Sequence, residues 1–146
     1  MTRRSLAALY TCFLLLLAVS AMAADAGKAS GTLTINGKTA KMAYSYARLA
    51  PDPFDKKATV VVLTVSEKPL KPEDVADDFG LMNLGHKINA LVFTIDKDKQ
   101  VISGEIHDEA IDTGSFSATG VHEFEPTVFT KTHVTGKMYM KKSEKF

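Results

Sequence analysis

Hydrophobic and polar residues alternate along much of this chain with a period of two, which puts successive side chains on opposite faces of a β-strand. Residues 31–35 and 38–46 show this alternation on either side of Asn36-Gly37. Because Asn-Gly tolerates the positive φ angles of a tight two-residue turn, the pattern predicts a first β-hairpin. A second hairpin is predicted from Asn89 to His107, with a polar turn at 96–99.

The segment 58–66 is a nearly unbroken run of apolar and β-branched residues, Ala-Thr-Val-Val-Val-Leu-Thr-Val-Ser. Such a run is typical of a central strand that is covered on both faces. The preceding segment, 48–57, contains Pro51 and Pro53, and proline has no N–H to donate to a neighbouring strand. The sequence therefore predicts a loop at 48–57 and a central strand after it.

One helix is predicted over residues 72–82. Pro72-Glu73-Asp74 is typical of a first helical turn, because proline is tolerated there and acidic residues favour the positive end of the helix dipole. About three turns would put four apolar residues on one face, with Gly80 weakening the helix. These four residues are Val75, Ala76, Phe79 and Met82.

The last third of the chain again shows strand patterns. Residues 116–124 alternate as one strand, Glu125-Pro126 is expected to turn the chain, and 127–140 is expected to form a last strand or bent pair with a bulge or corner at Gly136. With about seven antiparallel strands and no β-α-β rhythm, the expected fold is all-β with one short helix. An antiparallel β-sandwich is favoured over a small, partly closed barrel, because only a barrel requires matched strand tilt all round.

The N-terminus has the three parts of a secretory signal. Arg3 and Arg4 form a positive region, Leu6 to Val19 is apolar, and Ala21-Met22-Ala23 fits a cleavage site. The apolar run is shorter than the about 20 residues needed to span a bilayer, so no stable membrane anchor is expected. The predicted organisation is a signal peptide at 1–23, a flexible lead-in at 24–30 and one β-rich domain at 31–146, secreted or periplasmic.

Cleavage after Ala23 changes the composition of the domain. It removes Cys12, the only cysteine, so the mature protein must be stable without a disulfide. It also removes two of the 18 Lys and Arg residues, which leaves 16 against 17 Asp and Glu and a net charge of −1. No overall basic field is available to recruit nucleic acid.

Three segments resemble a group of uncharacterised bacterial secreted proteins. They are Gly-Thr-Leu-Thr-Ile-Asn-Gly-Lys at 31–38, Tyr-Ala-x-x-Ala-Pro-Asp-Pro-Phe-Asp-Lys at 46–56, and Phe-Glu-Pro at 124–126. The resemblance extends over most of the mature chain. It implies export and a shared fold, and it assigns no activity to any residue.

Histidines are the main candidates for metal binding. The chain has four, separated by 21, 15 and 11 residues, whereas the ligands of structural metal sites usually lie close together in sequence. His107, His122 and His133 are weak candidates because neighbouring strands could bring them together. With no cysteine in the mature chain, neither a metal nor another cofactor is expected.

The sequence contains no motif that names a reaction. Two carboxylates on adjacent strands can divide acid and base roles in a glycosidase, and residues 105–125 are acidic. Nothing in the sequence fixes the distance between any two of them, and the chain has no tryptophan to stack on a sugar. Ser115 and Ser117 lack the Gly-x-Ser-x-Gly turn of many serine hydrolases. We therefore expect the protein not to be an enzyme.

The sequence favours an exported binding or accessory module that acts through a sheet face or its loops. An inhibitor or immunity role toward an exported protein is one form of this hypothesis. The contact surface is predicted on the proline-stiffened loop, where little conformational entropy remains to be lost on binding. The residues predicted to form it are Arg48, Asp52, Phe54, Asp55 and Lys56.

The alternative is a small carrier that holds an apolar ligand between the sheets, beneath the predicted helix and near Phe79 and Met82. A carrier requires a cavity of several hundred Å³, whereas a protein-binding module has a filled core. A hydrolase is a third and weaker hypothesis, because it requires polar groups that converge in a cleft.

Overall fold

The computed structural model describes residues 27–110 and 115–140. The predicted signal peptide, residues 24–26 of the predicted lead-in, residues 111–114 and residues 141–146 lie outside these ranges. In the described ranges the strands are β1 Gly27–Ile35, β2 Lys38–Pro51, β3 Thr59–Ser66, β4 Ala90–Ile95, β5 Val101–His107, β6 Ser115–Ala118, β7 His122–Phe129 and β8 Val134–Met140. A helical turn, α1, spans Pro72–Val75, and a 3₁₀ helix spans Leu81–Lys87.

The strands form two antiparallel sheets. β1 to β6 make a six-stranded sheet in sequence order, and β7 pairs with β8 in a second, two-stranded sheet. The second sheet packs against one face of the first, so the fold is all-β and sandwich-like, as predicted. Neither sheet closes into a barrel in the described part of the chain.

The first hairpin is confirmed. Asn36 and Gly37 have φ angles of 50° and 79°, which are the positive values that a tight two-residue turn needs, and Ile35 pairs with Lys38. β1 begins earlier than predicted, however. Residues 27–30 belong to the strand, where Gly27 pairs with Ser45, so this part of the predicted lead-in is wrong.

The predicted loop at 48–57 is wrong in its first four residues. β2 continues through Arg48 to Pro51, and these residues pair in register with Val62 to Thr59 of β3. Pro51 is the last residue of β2, where its missing N–H removes no hydrogen bond from the strand interior. The connecting loop is therefore 52–58, and Arg48 lies on the sheet.

β3 is the predicted central strand, with β2 on one side and β4 on the other. Val61 packs with Phe93 and Ile95 in the core between the sheets, where Phe124 and Phe129 of β7 contribute from the other layer. Val60 and Val62 point to the opposite face and are buried as well. The prediction that β3 is covered on both faces is confirmed.

The predicted three-turn helix is wrong. α1 is four residues long, and the Asp77 carboxylate then accepts hydrogen bonds from the backbone N–H groups of Phe79 and Gly80. A Cβ at Gly80 would overlap the Asp74 carbonyl oxygen, so the chain folds back tightly there and cannot continue as a helix. Consequently Phe79 and Met82 are 68% and 60% exposed, although Val75 is buried as expected.

The predicted single strand at 116–124 is two strands. β6 ends at Ala118, Gly120 adopts a φ of 74°, and the chain crosses to the other sheet before His122. Glu125-Pro126 does not turn the chain, because Pro126 lies within β7 beside a register shift and pairs with Gly136 of β8. The turn is at 130–133, where Thr130 and His133 are hydrogen bonded through their backbones.

The second hairpin is confirmed, with strands β4 and β5. One carboxylate oxygen of Asp96 accepts hydrogen bonds from the N–H groups of Asp98 and Gln100, at 2.9 and 2.8 Å. Lys99 takes the positive φ of 66° that closes this turn.

Candidate functional site

A groove of about 430 Å³ lies on the face of the six-stranded sheet that points away from β7 and β8. Its floor is formed by β2, β3, β4 and β5, and we call it the sheet groove. The apolar residues of the floor are Ala50, Pro51, Val60, Val62, Val92 and Ile102, and the polar ones are Arg48, Thr64, Thr94, Ser103, Glu105 and His107. The floor thus combines apolar side chains, which small-molecule sites use to bury a ligand, with polar groups that can orient it.

Strand register sets the order of the side chains on the floor. Arg48 lies beside Val62, which lies beside Thr94, and Thr94 pairs with Ser103. In the adjacent row, Thr64 of β3, Val92 of β4 and Glu105 of β5 are neighbours. Because strands are spaced by about 4.8 Å, Arg48 and Glu105 are separated by about 14 Å across the sheet. The two charged residues therefore lie on opposite sides of a strip of two valines and two threonines.

Two connections form the walls of the groove. The segment 74–81 covers one end with the buried side chains of Val75 and Leu81, and it also contributes Asp74, Asp77 and Asp78. The loop 52–58 forms the other end with Pro53 and Phe54. An ion pair between the Arg48 guanidinium and the Asp78 carboxylate connects the floor with the first wall.

The loop 52–58 is ordered by its own hydrogen bonds. The Asp52 carboxylate accepts from the N–H groups of Phe54 and Asp55, and the Asp55 carboxylate accepts from the N–H of Lys57. The Ala58 N–H donates to the Asp55 carbonyl oxygen at 2.8 Å. This arrangement leaves the Phe54 ring 85% exposed at the end of the groove.

The five residues predicted as a contact surface thus have different positions. Arg48 and Phe54 line the sheet groove, at its floor and at its end. Asp52 and Asp55 shape the loop backbone, and Lys56 is exposed to solvent. The structure brings two of the five to one site, and that site is mostly built from residues that the sequence did not indicate.

Glu105 and His107 are the polar pair on the β5 side of the groove. His107 is buried, and its Nε2 lies 3.1 Å from a carboxylate oxygen of Glu105. The hydrogen bond from His107 lowers the pKa of the Glu105 carboxyl, and a hydrogen bond from Ser115 acts in the same direction, against the effect of burial. Glu105 is therefore ionised at neutral pH, in a partly buried position facing the groove.

Sequence reasoning did not single out this pair. It treated Glu105 as part of an acidic stretch and His107 as a weak metal candidate. The spacing of Glu105 and His107 could have indicated the pair, since residues i and i+2 of a strand lie on the same face of the sheet.

The three histidines named as weak metal candidates do not converge. His107 faces the groove, His122 packs against Phe93 in the space between the sheets, and His133 lies in the turn between β7 and β8. Among the described residues, no three His, Cys, Asp or Glu side chains are grouped as metal ligands would be.

The acidic stretch divides between two surfaces. Glu105 faces the groove, whereas Glu123 and Glu125 lie on β7 and both accept hydrogen bonds from the Tyr139 hydroxyl, at 2.8 and 2.9 Å. These two carboxylates raise the pKa of Tyr139 far above its ordinary value. Glu105 is thus not brought together with Glu123 or Glu125, which differs from the arrangement of a glycosidase acid and base pair.

By its fold, the protein is a two-layer antiparallel β domain, and one of its sheets carries a partly open groove. The chain matches no known family model, no curated protein and no solved structure. In the described residues, no helix has the length and apolar character needed to cross a membrane.

Proposed function

We propose that this protein is an exported, non-enzymatic binding protein that takes a small ligand in the sheet groove. The observation that supports the proposal is the groove itself. Its volume of about 430 Å³ falls within the range of about 300 to 1,000 Å³ that is usual for small-ligand sites, and its floor combines the buried Val60 and Val62 with polar side chains.

The sheet groove is favoured over the space between the sheets, because the opening at the edge of that core, beside Val61, Ile95 and Phe129, is smaller, about 230 Å³. Val61, Phe93 and Ile95 pack there with apolar side chains from both sheets. The carrier considered from the sequence would hold its ligand between the sheets, whereas the sheet groove lies on the other face of the six-stranded sheet. Phe79 and Met82 are exposed and do not line the groove, so they have no part in this proposal.

A second candidate function is binding to another exported protein through the loop 52–58. It is favoured by the exposed ring of Phe54 on a backbone that is already ordered by Asp52 and Asp55. Exposed aromatic anchors on ordered loops are typical contact points, because they bury much area with little loss of entropy. An inhibitor or immunity role belongs to this candidate.

The groove can be tested with a neutral naphthylamine dye and two matched substitutions on β2. Ala50→Leu places a larger side chain in the groove, whereas Ala47→Leu places it on the exposed opposite face of the same strand. We expect saturable dye fluorescence with the wild type, about tenfold weaker binding with Ala50→Leu, and unchanged binding with Ala47→Leu, which corresponds to a difference of about 1.4 kcal/mol.

Circular dichroism spectra of both variants serve as the check on folding. Absence of saturable binding, or equal binding by the two variants, would contradict the groove as the ligand site. If binding falls with Phe54→Ser but not with Ala50→Leu, the dye binds at the loop 52–58 and not on the groove floor, which contradicts the floor as the ligand site.

Export is tested separately. N-terminal sequencing of the protein released by its native host should begin at Ala24, within a residue or two, because Ala21-Met22-Ala23 forms the expected cleavage site. Recovery of the full-length chain in the membrane fraction would contradict export as a cleaved, free protein.

A further inference from the structure

We infer that the ligand of the sheet groove carries a positively charged head, an ammonium or guanidinium group, on an apolar body. This inference rests on the proposed function and names the chemical class of its ligand. It is supported by the charges that line the groove, by the position of Glu105 relative to the apolar floor, and by the pairing of Arg48.

The groove has more negative than positive groups. Its carboxylates are those of Asp74, Asp77, Asp78 and Glu105, and the one Arg or Lys among its lining residues is Arg48. Arg48 is already paired with Asp78. Even with the imidazole of His107 protonated, carboxylates outnumber cations, so an anionic ligand head is disfavoured and a cationic one is attracted.

Glu105 is the carboxylate best placed to contact a ligand head. Its side chain is 33% exposed, which leaves part of it accessible although it accepts hydrogen bonds from His107 and Ser115. Asp77 is engaged with two backbone N–H groups of its own wall, and Asp74 accepts a hydrogen bond from the N–H of Lys71. These two contribute negative potential, whereas Glu105 can offer a direct ion pair beside an apolar wall.

The strip of valine and threonine side chains between Arg48 and Glu105 would contact the body of such a ligand. Val92 lies next to Glu105 in the row of paired residues, and Val62 lies next to Arg48. A chain of six to eight carbons, about 8 to 10 Å long, would cover this strip with its head at Glu105 and its end about one strand short of Arg48. Arg48 lies three strands away from Glu105, and its ion pair with Asp78 offsets its charge toward the ligand head.

Three probes of equal chain length test which charge the ligand head carries. They are octylammonium, 1-octanol and octanoate, and their binding is measured by calorimetry at pH 7.5 and low salt. We expect octylammonium to bind about tenfold more tightly than 1-octanol and octanoate to bind more weakly than either. The preference for octylammonium should decrease in 0.5 M salt, because the exposed part of the attraction is screened.

A substitution tests the role of Glu105. Glu105→Gln keeps the size of the side chain and removes its charge, and it should reduce the preference for octylammonium over 1-octanol to within about twofold while leaving the affinity for 1-octanol unchanged. Asp98→Asn, in the exposed turn between β4 and β5, is the matched control and should leave the preference unchanged. The wild-type probe series remains informative if Glu105→Gln does not fold.

The outcomes separate this inference from the proposed function. Equal binding of the three probes, or a preference for octanoate, overturns the cationic head while leaving the groove as a binding site. Loss of 1-octanol and octylammonium affinity to the same extent in Glu105→Gln overturns direct recognition by Glu105. If neither the probes nor the naphthylamine dye bind, the proposed function itself is contradicted.

Discussion

His122 is a buried imidazole at the junction of the two sheets. Its ring lies edge-on to Phe93 with the centroids 5.0 Å apart, and it contacts the backbone of β5 at Gly104. Its Nδ1 atom makes no hydrogen bond with the described residues. Burial lowers the pKa of His122 below its ordinary value of 6.5, because the charged form loses solvation there.

This position predicts a loss of stability in mild acid. Above pH 6.5 His122 is neutral in both states, and below it the unfolded chain takes up a proton before the folded chain does, so folding becomes less favourable as the pH falls. Between pH 7.5 and 5.5 we expect the wild type to lose up to about 1.4 kcal/mol more than His122→Phe, as measured by urea titration.

His133→Gln is the control for this experiment, since His133 is exposed in the turn between β7 and β8. It should show the pH dependence of the wild type. Equal pH dependence in the wild type and His122→Phe would mean that other groups account for the acid sensitivity.

The ring of His122 leaves no room for a side chain at position 104, which is a glycine. A Cβ at this position would lie 2.7 Å from His122 Nδ1 and 2.9 Å from Cε1, which is closer than real contacts allow. Gly104→Ala should therefore destabilise the protein by about 1 to 3 kcal/mol. In a His122→Ala background the same substitution should cost much less, and additive effects in this double-mutant cycle would contradict the contact.

At the scale of elements, β3 allows the two faces of the sheet to be compared. Val61→Ala removes contacts with Phe93 and Ile95 in the apolar core between the sheets and should cost about 2 kcal/mol or more. Val62→Ala should cost less, about 1 kcal/mol, because its methyl groups border a groove that is already partly open. Denaturant titration measures both.

Thr59→Ala, at the exposed start of β3, is the control and should change stability by less than about 0.5 kcal/mol. A cost for Val62→Ala equal to that for Val61→Ala would mean that the groove face is as tightly packed as the core.

Elements defined by local interactions could be predicted from the sequence. Both hairpins follow from turn residues that close with neighbours a few positions away, as Asn36-Gly37 and Asp96 do. The segment 72–82 could not be predicted in this way. Its apolar spacing favours a helix, but contacts of Asp77 with the following backbone and the close approach at Gly80 end α1 after one turn.

At the scale of the whole molecule, we expect stability to be independent of metal ions. His107 lies at the groove and His122 lies against Phe93, so these two histidines do not share a site. The core between the sheets is made of apolar side chains. Excess chelator should leave the thermal unfolding midpoint unchanged, because no ion would contribute binding energy to the folded state. A lower midpoint that zinc or copper alone restores would contradict this prediction.

The candidate site could be predicted only in part. Arg48 and Phe54 were indicated by the proline-rich segment, and both line the groove. Glu105 and His107 were visible only as an acidic stretch and a lone histidine, since nothing local shows which face of β5 is left open. That depends on where β7 and β8 pack, which is settled by contacts distant in sequence.

The sequence by itself determined the strand alternation, the two hairpin turns and the burial of β3 on both faces, because these depend on the side-chain period and on local backbone preferences. Only the tertiary structure decided that the chain crosses to a second sheet after Gly120, that the 72–82 segment ends its helix after one turn, and that the opposite sheet face keeps a groove. The crossing and the groove depend on packing between distant segments, and a local pattern does not contain the partner against which a face packs. At 72–82 two local arrangements compete, because the Asp77 carboxylate accepts the N–H groups of Phe79 and Gly80 that a continued helix would use.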